Sequence, residues 1–139
     1  MHRTFDSETF VEDMKPFVDE IGSFDALCWI EEHDNIALTD GNGNYNLFQP
    51  DREGLYYAHT YFNTARGRKA ISLCKESLEE IFKEGSPVKA IKGLTPVEKK
   101  AARWLNRQVG LTSYGVLETV HGPCELFILD KHTYLERVK

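Results

Sequence analysis

Apolar side chains recur at helical spacing in three stretches of the chain and alternate with polar ones between them. Phe10, Val11, Met14, Phe17, Val18 and Ile21 fall at i, i+1, i+4, i+7, i+8 and i+11, the stripe of an amphipathic helix. Asp6 or Ser7 caps its start and Gly22 closes it. Pro16 lacks the amide that an interior turn uses, so the stripe predicts a kinked helix or two short ones. Ser23 could cap a second helix that buries Ala26, Leu27, Trp29 and Ile30, and a strand over 26–31 stays open.

The period then drops to two. Ile36-Ala37-Leu38-Thr39 and Tyr45-Asn46-Leu47-Phe48 flank Asp40-Gly41-Asn42-Gly43-Asn44, which predicts a hairpin. Asp40, Asn42, Asn44 and Asp51 echo a calcium loop, but Tyr45 stands where that loop needs glycine, so no metal site is expected. A third strand, Leu55–Phe62, follows Pro50 and Gly54. After Asn63-Thr64 come Arg66-Gly67-Arg68-Lys69-Ala70, the start of a long helix that buries Ala70, Ile71, Leu73, Cys74, Leu78, Ile81 and Phe82 up to Gly85. A short strand is predicted over 88–91. Thr95-Pro96-Val97-Glu98 reads as a capping box with proline at the first helical position, opening a helix that buries Val97, Ala101, Ala102, Leu105 and Val109 and stops at Gly110. Strands over 114–120 and 125–129, joined by His121-Gly122-Pro123, close the chain.

A strand meander, then strand–helix–strand–helix, then a hairpin predicts one mixed α/β domain over 1–139, a central mixed sheet of about six strands flanked by helices. Right-handed crossover makes strands 55–62 and 88–91 parallel neighbours. A length of 139 residues, 41% hydrophobic content and a net charge of −5 fit a single globular core. The charge is uneven: residues 1–50 carry two basic and eleven acidic side chains, and the remainder is net positive. Three distant cysteines, Cys28, Cys74 and Cys124, lack zinc-site spacing and read as small buried apolar residues. No segment is long and apolar enough for a signal peptide or a membrane span, so the expected setting is reduced and cytoplasmic, without a membrane partner.

The basic turn carries the first functional clue. A helix N-terminus bears about half a positive charge, so Arg66, Arg68 and Lys69 beside Gly67 make sense if an anion sits there on open backbone amides. With the order of elements around it, the chain resembles the GNAT superfamily of acetyl-CoA-dependent N-acetyltransferases, in particular the compact GNAT-like proteins of tailed-phage genomes. The likeness spans about residues 36–130 and rests on Tyr57 to Ala70, on Thr95 to Leu111 with Ala102 and Gly110-Leu111, and on the last strand pair.

The resemblance implies that strand 55–62 bulges and splays from strand 88–91, that the pantetheine arm of coenzyme A lies between them, and that its pyrophosphate rests on loop 66–71. The implied cofactor contacts are Tyr61, Phe62, Arg66, Gly67, Arg68, Lys69, Ala70, Ile71 and Asn106. Two departures stand out: Lys69 and Ile71 hold positions usually glycine or alanine, and Asn106 stands where the family often has a tyrosine that protonates the thiolate.

Acetyl transfer needs a base for the amine, donors for the oxyanion and an optional acid for the thiolate. His59 is the candidate base, sharing a strand face with Tyr57 and Tyr61, and a half-buried packing histidine is the alternative. Backbone N–H groups near 59–62 are the oxyanion candidates, and Tyr114 is the substitute acid. The expected partner is a small-molecule or peptide amine; a homodimer or phage virion proteins are the macromolecular partners left open. Two rival readings stand beside the enzyme: a virion or assembly protein that keeps the fold without the chemistry, and a nucleic-acid binder using Lys89, Lys92, Lys99, Lys100, Arg103 and Arg107. With the net charge negative, the stripe Lys99, Arg103, Arg107 is expected to be a solvated helix face.

Overall fold

The computed structural model describes residues 1–18 and 25–138. The ends predicted at Ile21, Gly22 and Ser23 therefore lie outside the described residues.

Seven strands form one mixed sheet in the order β1-β2-β3-β4-β5-β7-β6. They are β1 (His2–Arg3), β2 (Ile36–Thr39), β3 (Asn44–Arg52), β4 (Leu55–Phe62), β5 (Ala90–Pro96), β6 (Thr112–Thr119) and β7 (Gly122–Asp130). Helices α1 (Ser7–Met14) and α2 (Ala26–Glu31) cover one face, and α3 (Gly67–Ile81), α4 (Lys100–Val109) and α5 (Lys131–Arg137) accompany the other. All pairings are antiparallel except β4 with β5, as the right-handed crossover requires.

Local signals decide the first elements. The Asp6 carboxylate caps α1 by accepting from the Thr9 amide, and α1 ends at Met14, where a 3₁₀ turn over Lys15–Phe17 accommodates Pro16. Asp25 caps α2, which settles the 26–31 segment as helix. Leu27 faces solvent rather than the core, and Cys28 is exposed, whereas Cys74 and Cys124 are buried as expected. Phe10 and Met14 are wholly buried against Ala37, Tyr45 and Leu47; Phe10 also packs on Trp29 with ring centroids 5.8 Å apart. Burying one such side chain stabilises by about 1.5–3 kcal/mol. On the other face Ile36, Leu38, Phe48 and Tyr56 meet Leu78, Ile81 and Phe82.

Several elements differ from the sequence reading: β1 was not expected, and β6 and β7 start earlier, at Thr112 and Gly122. β5 starts at Ala90 rather than 88 and runs on to Pro96. The capping box is therefore not formed: Thr95 and Pro96 pair with Glu125 and Cys124 of β7, the Val97 amide donates to Pro123, and α4 begins only at Lys100 without a side-chain cap. A strand with a partner on one side satisfies more backbone groups than an early helical turn would. Pro96 fits because amides alternate in direction along a strand; with the amide of Val97 turned to β7, that of Pro96 would point away from it, where no strand needs a donor. The bulge in this part of the sheet lies on β3, at Asp51, not on β4. A further difference is α5, capped by Asp130, which the sequence reading missed.

A cleft between parted strands as the candidate functional site

β4 and β5 pair over only three positions, ending at Tyr57 and Lys92. Beyond that point β4 stays with β3 and β5 stays with β7, so the two part and open a wedge. Gly93 sits at the apex, where an added Cβ would stand 3.7 Å from the Ala58 carbonyl. Inside the wedge is a cleft of about 230 Å³, walled by β3, β4, α3, β5 and α4.

Backbone direction can be read from a few bonds. The Asn63 amide donates to Gly43 on β3, so the amides of Ala58 and Thr60 point the other way, into the cleft. Ala90 donates across to Gly54, which by the same alternation turns the Leu94 amide toward the cleft from β5. The cleft thus has two parted strand edges with unshared backbone groups. Its α4 wall is unusual too. Ala102, Leu105 and Val109, expected as buried, are only half-buried and line the opening, and Ala101 is exposed. The apolar stripe of α4 is shared between the cleft and the core, since Leu105 and Val109 also pack on the cluster of Phe62, Ala70, Leu73 and Cys74.

α4 is held over this space by a buried carboxylate. Glu125 of β7 is 3% exposed and accepts from Arg103 Nε at 2.7 Å, from Arg107 and from the Ser113 hydroxyl. The Ser113 bond and the two guanidinium groups hold its carboxyl below the usual range. Arg103 and Arg107 are therefore tied to a buried carboxylate that the expectation of a solvated stripe did not include, although the Arg107 side chain itself stays 47% exposed. A carboxylate on a strand facing two arginines one helical turn apart was the sequence signal that could have found it.

At the open end of the wedge β4 runs into the basic turn. Gly67 has φ +54 with nothing near its missing Cβ, so the left-handed backbone, not space, demands glycine. No side chain caps α3, and since the Lys69 and Ala70 amides donate to the Arg66 carbonyl, the Gly67 and Arg68 amides are the ones left for an anion. The side chains divide. Arg66 turns back, its Nη1 donating to the Phe62 and Ala65 carbonyls at 3.0 and 2.8 Å, so it clamps the turn from behind. Arg68 and Lys69 are exposed at the helix start; Ala70 is buried beneath them and Ile71 is half-buried. A further residue, absent from the sequence candidates, fixes the approach: Asn44 is buried and its Oδ1 accepts from the Thr64 and Ala65 amides at 3.0 and 3.1 Å.

The remaining candidates are spread around the cleft, and one lies outside it. Tyr57, His59 and Tyr61 stand on the α1/α2 face with their rings nearly parallel, centroids 6.4 and 6.2 Å apart. Solvent reaches the His59 ring, yet crowding in this concave face lowers its pKa from the ordinary imidazole value, and burial raises that of Tyr61. His59 also borders the cleft. Lys92 sits at the parting point, its Nζ 2.6 Å from Asp51 and 4.4 Å from the centre of the Tyr57 ring. Asn106 lines the opposite wall, donating to the Thr95 hydroxyl at 3.0 Å. Phe62 is buried at the end of β4. Tyr114 does not join them: it is 63% exposed on the edge strand β6, with β7 and β5 between it and β4.

No family model matches the sequence, and no curated protein matches it. Solved structures do match the fold. An aminoglycoside acetyltransferase, AAC(6')-Ib, in complex with coenzyme A superposes with a TM-score of 0.69 at 12% identity, over 96% of this chain and 94% of that one. A GNAT-family acetyltransferase from Bacillus anthracis gives 0.68 at 15% identity, over 95% and 93%. A variant of the spermidine N-acetyltransferase SpeG from Vibrio cholerae gives 0.65 at 13%, over 92% and 79%. At such identities the likeness is one of architecture, and the parted strands and uncapped helix agree with it: this chain has the GNAT acetyltransferase fold.

Proposed function

We propose that the protein binds acetyl-CoA in the wedge between β4 and β5 and transfers the acetyl group to a small-molecule amine. One observation carries this reading: the two strands part after Tyr57 and Lys92, and the strand that leaves runs straight into an uncapped, basic helix start. A linear ligand with a diphosphate at one end fits that arrangement. Its phosphates take the open amides of α3 with Arg68 and Lys69, its arm takes the Thr60 carbonyl and the backbone groups of Leu94, and its acyl end reaches the level of His59. Of the similar structures, AAC(6')-Ib was solved with coenzyme A and SpeG is named for spermidine, which supports the same ligand and acceptor class here.

Each catalytic requirement has a candidate. His59, kept neutral by its surroundings, accepts the amine proton, and Tyr57 and Tyr61 wall the approach. The Thr60 amide, turned into the cleft, is placed to receive the oxyanion of the tetrahedral intermediate. The amine nitrogen forms its bond to the thioester carbon, and the carbon–sulfur pair leaves with sulfur.

Thermal unfolding with and without acetyl-CoA tests the binding step. At a hundred times its dissociation constant the ligand stabilises by about 2.7 kcal/mol. No stabilisation by acetyl-CoA overturns the proposal. Thiol release against a panel of amines tests the transfer. Binding without turnover on any amine overturns the enzymatic half and favours a GNAT-fold assembly protein.

A further inference from the structure

The cleft holds a hydroxyl whose proton has no acceptor among the described residues. Thr95, on β5, is 9% exposed and lines the cleft. Its Oγ1 accepts from Asn106 Nδ2 at 3.0 Å, and nothing described accepts from it. The other strand threonine in the cleft is different: Thr60 donates to Asn46 Oδ1 at 2.7 Å, so its proton is taken. A hydroxyl that accepts from an amide must send its proton elsewhere, and is polarised toward donating it. A threonine is also stiff at χ1, so the position of its oxygen is held while its proton turns to suit an acceptor. A proton left over in a nearly buried site points to a ligand acceptor.

We propose that Thr95 donates a hydrogen bond to the sulfur of coenzyme A as it leaves as thiolate, with Asn106 as the positioning residue. The assignment rests on the acetyl-transfer reading above. His59 stands on the α1/α2 face of the sheet, whereas Thr95 and Asn106 stand on the α4 face of the same cleft. An amine delivered past His59 forms its C–N bond from one side, and the C–S bond breaks toward the other. The electron pair stays on sulfur. The proton that His59 removes from the amine nitrogen returns, by exchange with water, to the thiolate, so the reaction is balanced without a proton from Thr95. An aliphatic hydroxyl is a far weaker acid than a thiol, whose pKa is about 8.5, so Thr95 stabilises the anion without titrating. Asn106 thereby contributes to the chemistry through the group it orients, although it has no acidic proton of its own.

The bound thiol reports on this contact even without turnover. Coenzyme A is titrated on the full-length protein by thiolate ultraviolet absorbance, for wild type, Thr95→Val, Thr95→Ser and Asn106→Leu. Loss of one hydrogen bond to an anion should raise the bound thiol pKa by about one to two units in Thr95→Val. Thr95→Ser should keep the wild-type value, and Asn106→Leu should shift it the same way by less. Turnover on an accepted amine should fall about tenfold or more in Thr95→Val, with the coenzyme A dissociation constant unchanged within about a factor of two. An unmoved thiol pKa in Thr95→Val that still binds coenzyme A overturns the assignment and leaves the acetyl-transfer reading intact. If Thr95→Val does not fold, an unmoved value in Asn106→Leu overturns it instead. Failure of the wild-type protein to bind coenzyme A overturns both.

Discussion

Crowding on the α1/α2 face lowers the pKa of His59, so its imidazole is neutral near pH 7 and able to accept a proton. The acid limb of kcat/KM should therefore lie below the ordinary imidazole value of about 6.5. His59→Ala should leave acetyl-CoA affinity unchanged and lower turnover about 10²–10⁴-fold. Wild-type turnover in that variant would remove His59 as the base. Glu125 gives a second test at this scale. Its folded pKa is depressed, so its contribution is present above the unfolded value of about 4.3 and is lost as pH falls through the folded value. Glu125→Gln should cost about 1–3 kcal/mol near neutral pH and flatten the loss of stability in acid, measured by denaturant midpoints. Equal acid sensitivity in the variant would show that another carboxylate governs it.

The helix start after β4 combines three separate devices. Gly67 supplies a left-handed residue, Asn44 and Arg66 hold the preceding loop, and Arg68 and Lys69 add exposed charge. Arg68→Ala with Lys69→Ala removes only the charge, so coenzyme A should bind more weakly with the melting temperature held. Calorimetry that finds equal affinity would place the phosphates elsewhere. Gly67→Ala acts on the backbone instead: a left-handed alanine costs about 1–2 kcal/mol, and the amides beside it shift with the strain. That variant should lose both stability and affinity. The contrast between the two separates charge from backbone geometry.

Across the whole molecule the sheet is finished on one side and open on the other. Leu73 is 1% exposed in the core under α3, whereas Leu105 of α4 is half-buried along the cleft. Leu73→Ala should cost about 2–5 kcal/mol. Leu105→Ala should cost less in the unliganded protein, because one side of it packs on the Phe62–Cys74 cluster while the other borders the cleft, and more when coenzyme A fills the wedge. Equal costs in denaturant unfolding would mean that α4 is as closely packed as α3. The charge division acts at this scale as well. Helices α1 and α2, on the side of the proposed amine, lie within the acidic first fifty residues, and the phosphate turn lies in the net-positive remainder.

Much of this was legible in the residues because the signals were local. The hairpin at Asp40 to Asn44, the break at Pro16, the strand ending at Phe62, the basic turn around Gly67 and the stop at Gly110 each depend on neighbours a few positions away. Period two alone put Tyr57, His59 and Tyr61 on one face, and the crossover rule made β4 and β5 parallel. The order of these elements was enough to suggest the fold. Other outcomes depended on contacts distant in sequence. Thr95-Pro96-Val97-Glu98 has every mark of a helix cap, yet pairing with β7 claimed Thr95 and Pro96 for β5, because a long-range ladder satisfies more backbone groups than one cap. The same pairing turned Thr95 into a wall of the cleft, facing Asn106. Arg103 and Arg107 read as solvated until β7 brought Glu125 beneath them. The width of the wedge was decided only by the sheet: β4 follows β3, β5 follows β7, and a strand cannot stay with both neighbours once they diverge.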